Sequence, residues 1–223
     1  MRKHRLRNRK GKIMKIVSAG YEILTPISNG GIDELKHIEK IGRVCYKSED
    51  KITEDGESAR EFVKMIIDRG HEAMIEHSSL SVKFTVDRGV SHELVRHRIA
   101  SFAHESTRYC NYSKNKFGNE ITVIKPLFFA YDSEQYSEWK SAMEDAERHY
   151  FALLGSGATP QEARSVLPNS TKTEITITAN YREWRNFFKL RTAEAAHPQM
   201  REVTIPLLTE LKEKLPIVFD DIQ

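Results

Sequence analysis

Cysteine is scarce in this chain of 223 residues: only Cys45 and Cys110 are present, too few for a disulfide framework or a four-cysteine zinc site. No apolar run approaches the roughly 20 residues a membrane-crossing helix needs, and no leader of charged, apolar and small residues opens the sequence. A glycine-rich phosphate loop, an internal repeat and a low-complexity linker are also missing. His71 and His77 are six apart and His92 and His97 five apart, whereas paired metal ligands on one helix face sit at i and i+4, so no metal is expected. These absences point to a soluble cytoplasmic protein in a reducing compartment. With 39% hydrophobic and 30% charged residues it has an ordinary globular composition.

The net charge of +3 is unevenly spread. Residues 1–12 hold seven of the 35 Lys and Arg and none of the 32 acids, leaving an acidic balance over the rest. Such a tail can touch nucleic acid electrostatically. Regular patterning begins only at Met14, so residues 1–13 read as a disordered basic extension and 14–223 as a single domain.

Apolar spacing predicts a strand over 16–24, helices over 33–46 and 57–69, and an alternating strand over 80–86. A helix over 92–98 follows, then a polar loop to 113 and a short strand near 121–124. Beyond these come a long helix over 134–154, a short helix opened by Thr159 and Pro160, and a strand over 174–179. Helices over 180–190 and 198–215 complete the chain. The order suggests an α+β fold, a mostly antiparallel central sheet flanked by helices.

The densest chemistry lies from Arg96 to Tyr109: three arginines, two histidines and several hydroxyls in one short segment. Guanidinium groups match phosphate oxygens with paired hydrogen bonds, and Ser or Thr hydroxyls fill the remaining acceptor sites, so the segment reads as a phosphate or nucleotide cradle. A second cationic cluster, Arg182, Arg185 and Arg191 with Asn180 and Asn186, follows a strand. By spacing alone a solvated arginine face explains it equally well. Cys110 lies just after the 96–109 segment, whose cations would favour a thiolate nucleophile, yet no base partner is identifiable, and Ser106 faces the same objection.

Arg96-His97-Arg98, seven residues and then Ser106 resembles the signature of the flavin-dependent thymidylate synthases, the ThyX family. Gly70-His71-Glu72 with Glu76-His77, Ser106 to Tyr109, Ala163-Arg164 before Leu167-Pro168, and Asn180-x-Arg182-x3-Asn186-x3-Leu190-Arg191 resemble further family blocks in the same order. Together they run from about Met14 to the last helix. The resemblance implies a homotetramer whose active sites draw on more than one subunit. It also implies formation of dTMP from dUMP, with 5,10-methylenetetrahydrofolate giving the carbon and NADPH reducing a bound FAD.

Carried over position by position, the resemblance implies FAD contacts at His71, Ala73, Arg96, His97, Arg98, His104, Asn180, Tyr181, Arg182 and Asn186. It implies dUMP contacts at Glu93, Leu94, Val95, Arg96, His104, Glu105, Ser106, Thr107, Arg108, Arg164 and Arg191. Arg191 takes the catalytic role: a fixed cation beside the uracil favours ionisation at ring nitrogen 3 and makes the ring a better carbon nucleophile. The chain departs from the family pattern at His104, where Gln, Asn or Glu is usual, and at Ala73, where Ser or Thr is expected. Ala195 stands where some members carry a histidine. Two other classes compete: a nucleic-acid binder using the basic tail and the Arg-rich loop, and a flavin-free synthase dependent on Cys110. The acidic balance of residues 13–223 and the absence of a binding module weigh against specific nucleic-acid recognition.

Overall fold

A computed structural model describes residues 14–110, 112–113 and 119–223. The basic extension expected over 1–13 lies outside the described residues. The chain divides into two compact units, one built from residues up to Ser18 together with Glu105–Lys172, the other from Ala19–His104 and Thr173–Gln223.

In the larger unit, β2 (Gly20–Ile23), β3 (Ser79–Asp87), β4 (Ala100–His104) and β6 (Lys172–Asn180) form a sheet in the order β2-β3-β6-β4. The β2/β3 and β4/β6 pairs are antiparallel, in keeping with the mixed fold and antiparallel sheet expected. Helices α1 (Ile32–Tyr46), α2 (Glu57–Asp68), α3 (Arg88–Leu94), α6 (Tyr181–Arg191) and α7 (Pro198–Lys214) belong to the same unit. Leu80, Val82, Phe84 and Val86 of β3 are fully buried, because strand alternation sends every second side chain inward. They join Phe62, Ile66, Trp184, Phe188 and Leu207 in one core. Each large apolar side chain buried this way contributes about 1.5–3 kcal/mol. Trp184 also satisfies its one donor, giving Nε1–H to the Leu80 carbonyl at 2.9 Å.

The smaller unit pairs β1 (Lys15–Val17) with β5 (Thr122–Ile124) in parallel and adds α4 (Glu134–Gly155) and α5 (Pro160–Ala163). Its separate core gathers Met14, Tyr112, Ile121, Val123, Met143 and Tyr150. Among the described residues no helix is long and apolar enough to cross a membrane.

Three sequence expectations are corrected. The strand over 16–24 is two strands, β1 and β2, pairing in different sheets. The helix placed over 92–98 is α3, which starts earlier because the Asp87 carboxylate accepts from the Val90 N–H at 2.8 Å. It ends at Leu94, and bonds from Arg96 N to Glu93 O and from His97 N to Leu94 O tighten the chain into a turn. Residues 100–104 are strand β4, not loop: Ala100, Phe102 and His104 are half-buried while Ser101 and Ala103 are exposed. Serine and histidine within a small-residue alternation concealed its period.

Candidate functional site

Helix α6 starts where Asn180 caps it, its side-chain oxygen accepting from the Glu183 N–H at 2.9 Å. Glu183, Phe187 and Arg191 then follow at intervals of four and share one face. His97, carried by the turn after α3, lies across that stripe. Its Nδ1 is 3.1 Å from Glu183 Oε1, its ring meets Phe187 edge-on at 4.8 Å, and its Nε2 accepts from Arg191 Nε at 3.0 Å. The His97 and Glu183 side chains are only 6% and 8% exposed.

The rest of the Arg191 guanidinium grips α3. Nη1 donates to Glu93 Oε2 at 3.0 Å and Nη2 to the Glu93 carbonyl at 3.1 Å. From α7, Thr204 Oγ1 donates to the Arg191 carbonyl at 2.9 Å. Arginine has five N–H donors and no acceptor, so His97 Nε2 must present its lone pair. The imidazole proton therefore resides on Nδ1, where Glu183 accepts it. Burial, reinforced by the Arg191 charge, holds the His97 pKa below its usual 6.5 despite the opposing pull of Glu183. The outcome is a neutral imidazole between a carboxylate and a guanidinium.

Beside this stripe Asn180, Arg182, Glu183, Asn186 and Lys189 of β6 and α6, with Ile99, Glu72 and Glu76, line an open groove of about 520 Å³. That volume lies within the range of small-molecule sites. Arg182 donates to Glu76 Oε1 at 2.5 Å and lies 3.7 Å from Glu72 Oε2. Asn186 Nδ2 stands 3.4 Å from both Glu183 oxygens. Amide, guanidinium and ammonium donors on one wall suit the carbonyls and phosphates of a dinucleotide.

Other expected residues fall elsewhere. His71 is exposed, and its Nδ1 lies 2.7 Å from the Tyr46 hydroxyl. Ala73, Val95, Arg96 and Arg98 are exposed. Leu94 and Tyr181 are fully buried, and the Tyr181 ring packs edge-on against Phe219. His104, at the end of β4, has Nε2 3.0 Å from Thr173 Oγ1.

The smaller unit carries the back of the 96–109 segment, from Glu105 onward, and Arg164. Arg164 Nη1 donates to Thr107 Oγ1 at 3.3 Å, and the Arg108 N–H donates to Ser106 Oγ at 3.3 Å. Glu105 pairs with Lys172 at 3.2 Å and accepts from the Tyr112 hydroxyl. Cys110 is half-buried against that unit's core. Sequence reasoning missed Glu183, Lys189 and Ile99 as groove residues. An acid buried within an Asn-x-Arg block was the available signal for Glu183.

The sequence model of the family described as thymidylate synthase complementing protein (Thy1) matches residues 32–217. A flavin-dependent thymidylate synthase from Corynebacterium aurimucosum is 34% identical over 211 residues, covering 87% of this chain and 82% of the relative. One from Mycobacterium avium is 34% identical over 203 residues, covering 83% and 78%. Among solved structures, the UMP/dUMP methylase PolB from Streptomyces cacaoi bound with 5-Br dUMP has a TM-score of 0.73 at 25% identity, over 93% of this chain and 96% of that one. With a family match across most of its length and relatives this close, the chain belongs to the flavin-dependent thymidylate synthases.

Proposed function

We propose that this protein converts dUMP to dTMP, taking the carbon from 5,10-methylenetetrahydrofolate and the electrons from NADPH. A methylene carbon must gain two electrons to become a methyl group. Bound FAD would supply that two-electron chemistry, with NADPH as the source of its reducing equivalents. The chain's own residues bind, orient and place charge. Asn180, Arg182 and Asn186 would hold FAD along the groove, joined by Arg96, His97, Arg98, His71, Ala73 and Tyr181 in a homotetramer. Arg164 and Arg108, with Ser106 and Thr107, take the dUMP phosphate, and Glu93 to Arg96, His104 and Glu105 line the nucleotide.

The observation that carries this reading is the anchored guanidinium of Arg191. Three hydrogen bonds commit its Nε, Nη1 and Nη2, and an Nη N–H remains on each terminal nitrogen for a uracil oxygen. A cation held this firmly stabilises negative charge developing on the ring without reorganising during the reaction.

The test is the absorbance spectrum of the purified protein supplied with FAD, before and after NADPH, with product analysis. A flavin spectrum bleached by NADPH and conversion of dUMP in the presence of the folate are expected. A protein that stays colourless with added FAD would sink the reading. UMP is assayed alongside, because the Streptomyces neighbour is named for both nucleotides.

A further inference from the structure

Glu183 and His97 stand behind Arg191 in a line, and Glu183 has no part in the binding roles above. We infer that Glu183 is a positioning residue for Arg191, fixing the His97 tautomer so that the imidazole can accept from the guanidinium. The inference rests on the reading of Arg191 as the group that faces the pyrimidine.

The geometry imposes a strict order of protons. Arg191 Nε can only donate, so at 3.0 Å from His97 Nε2 it requires a bare lone pair there. Neutral imidazole in water exchanges between two tautomers, and only the one protonated at Nδ1 satisfies this contact. Glu183 Oε1, 3.1 Å from Nδ1, accepts that proton and selects that tautomer. Phe187 packs edge-on with the same imidazole at 4.8 Å.

Replacing Glu183 with a residue that cannot accept removes the selection. In the other tautomer an N–H of His97 points at an N–H of Arg191, and the guanidinium loses one of its three anchors. Glu93 then holds it by the terminal nitrogens alone, free to swing about them. Glu183 also lines the groove, with Asn186 Nδ2 at 3.4 Å, so one carboxylate borders the groove and reaches Arg191 through His97.

The experiment compares Glu183→Ala, Glu183→Gln and Arg191→Ala in the FAD-loaded protein, with long-range 15N spectra of the imidazoles. Glu183→Ala is expected to lower kcat about tenfold to a hundredfold, the scale of one hydrogen bond to a charged group, with little change in KM for dUMP. Glu183→Gln, whose amide oxygen still accepts from Nδ1, is expected to keep most of kcat and the same tautomer. Wild-type protein is expected to show His97 protonated at Nδ1. Near-normal kcat in folded, flavin-bound Glu183→Ala overturns the inference, as does a wild-type His97 protonated at Nε2. Should Glu183→Ala not fold, Glu183→Gln and the spectra decide. Turnover surviving in Arg191→Ala removes the reading of Arg191 and the inference with it. Its loss there, together with normal Glu183→Ala, removes the relay alone.

Discussion

Three arginines on α6 share one side-chain chemistry and meet three different ends. Arg182 is half-exposed at the groove, held by Glu76 and Glu72. Arg191 is clamped by His97 and Glu93. Arg185 is only 2% exposed, paired with Asp221 by two hydrogen bonds at 2.6 and 2.7 Å and with Glu72 at 3.0 Å. It is a structural cation that ties the C-terminal turn to α6. Arg185→Met is expected to cost about 3 kcal/mol in chemical denaturation, since removing one member of a buried pair strands its partners. Arg185 holds the Asp221 carboxyl below its usual 3.8. This pair's contribution is complete above pH 3.8 and is lost as pH falls through the lower folded value. For His97, whose folded pKa is also depressed, the neutral form is fully present above 6.5. Protonation during acidification below that value puts two donors face to face at Arg191. The acid limb of a kcat profile should therefore lie below 6.5 and move lower still in Glu183→Gln, which loses the charge favouring imidazolium; an unmoved limb would assign it to another group.

At the scale of elements, close approach rather than propensity fixes several contacts. A β-carbon on Gly42 of α1 would lie 2.4 Å from the Phe62 ring of α2, and that ring is itself held by Tyr46 edge-on and by Arg43 at 4.7 Å. Gly42→Ala is expected to lower stability by about 1–3 kcal/mol through overpacking, read as a fall in melting temperature. Gly31, which starts α1, has φ +79° and sits against the Lys214 carbonyl, so both its backbone and its surroundings require glycine. The long, strongly periodic helices α1, α2, α4, α6 and α7 were legible because one face of each is apolar at helical spacing. β4 was not, because its inward residues are alanine, phenylalanine and histidine, a weak signal until β6 supplies a partner. The start of α3 was hidden by a strand signal running up to Val86. Only the Asp87 cap marks the switch.

For the whole molecule, the larger unit carries Arg182, Arg185 and Arg191 together with Arg96 and Arg98, the front of the other cationic segment, while its back from Glu105 onward belongs to the smaller unit. The homotetramer proposed above, with sites shared between subunits, would make activity depend on assembly. Light scattering of the purified protein is expected to give a mass of four chains, and a monomer with full activity would contradict that arrangement. The sequence by itself determined the family and the residue types its chemistry requires. Blocks such as Arg96-His97-Arg98 and Asn180-x-Arg182-x3-Asn186 survive as short local patterns, readable without knowing the fold. It also determined the mixed class of the fold, through the two periods of apolar spacing. Tertiary structure decided where each cation is held: Arg185 or Arg191, buried strut or clamped guanidinium, depends on neighbours more than 30 residues away along the chain, at Asp221, His97 and Glu93. It alone joined Glu183 to His97, 86 positions apart, because only packing α6 against the turn after α3 places a carboxylate beneath an imidazole.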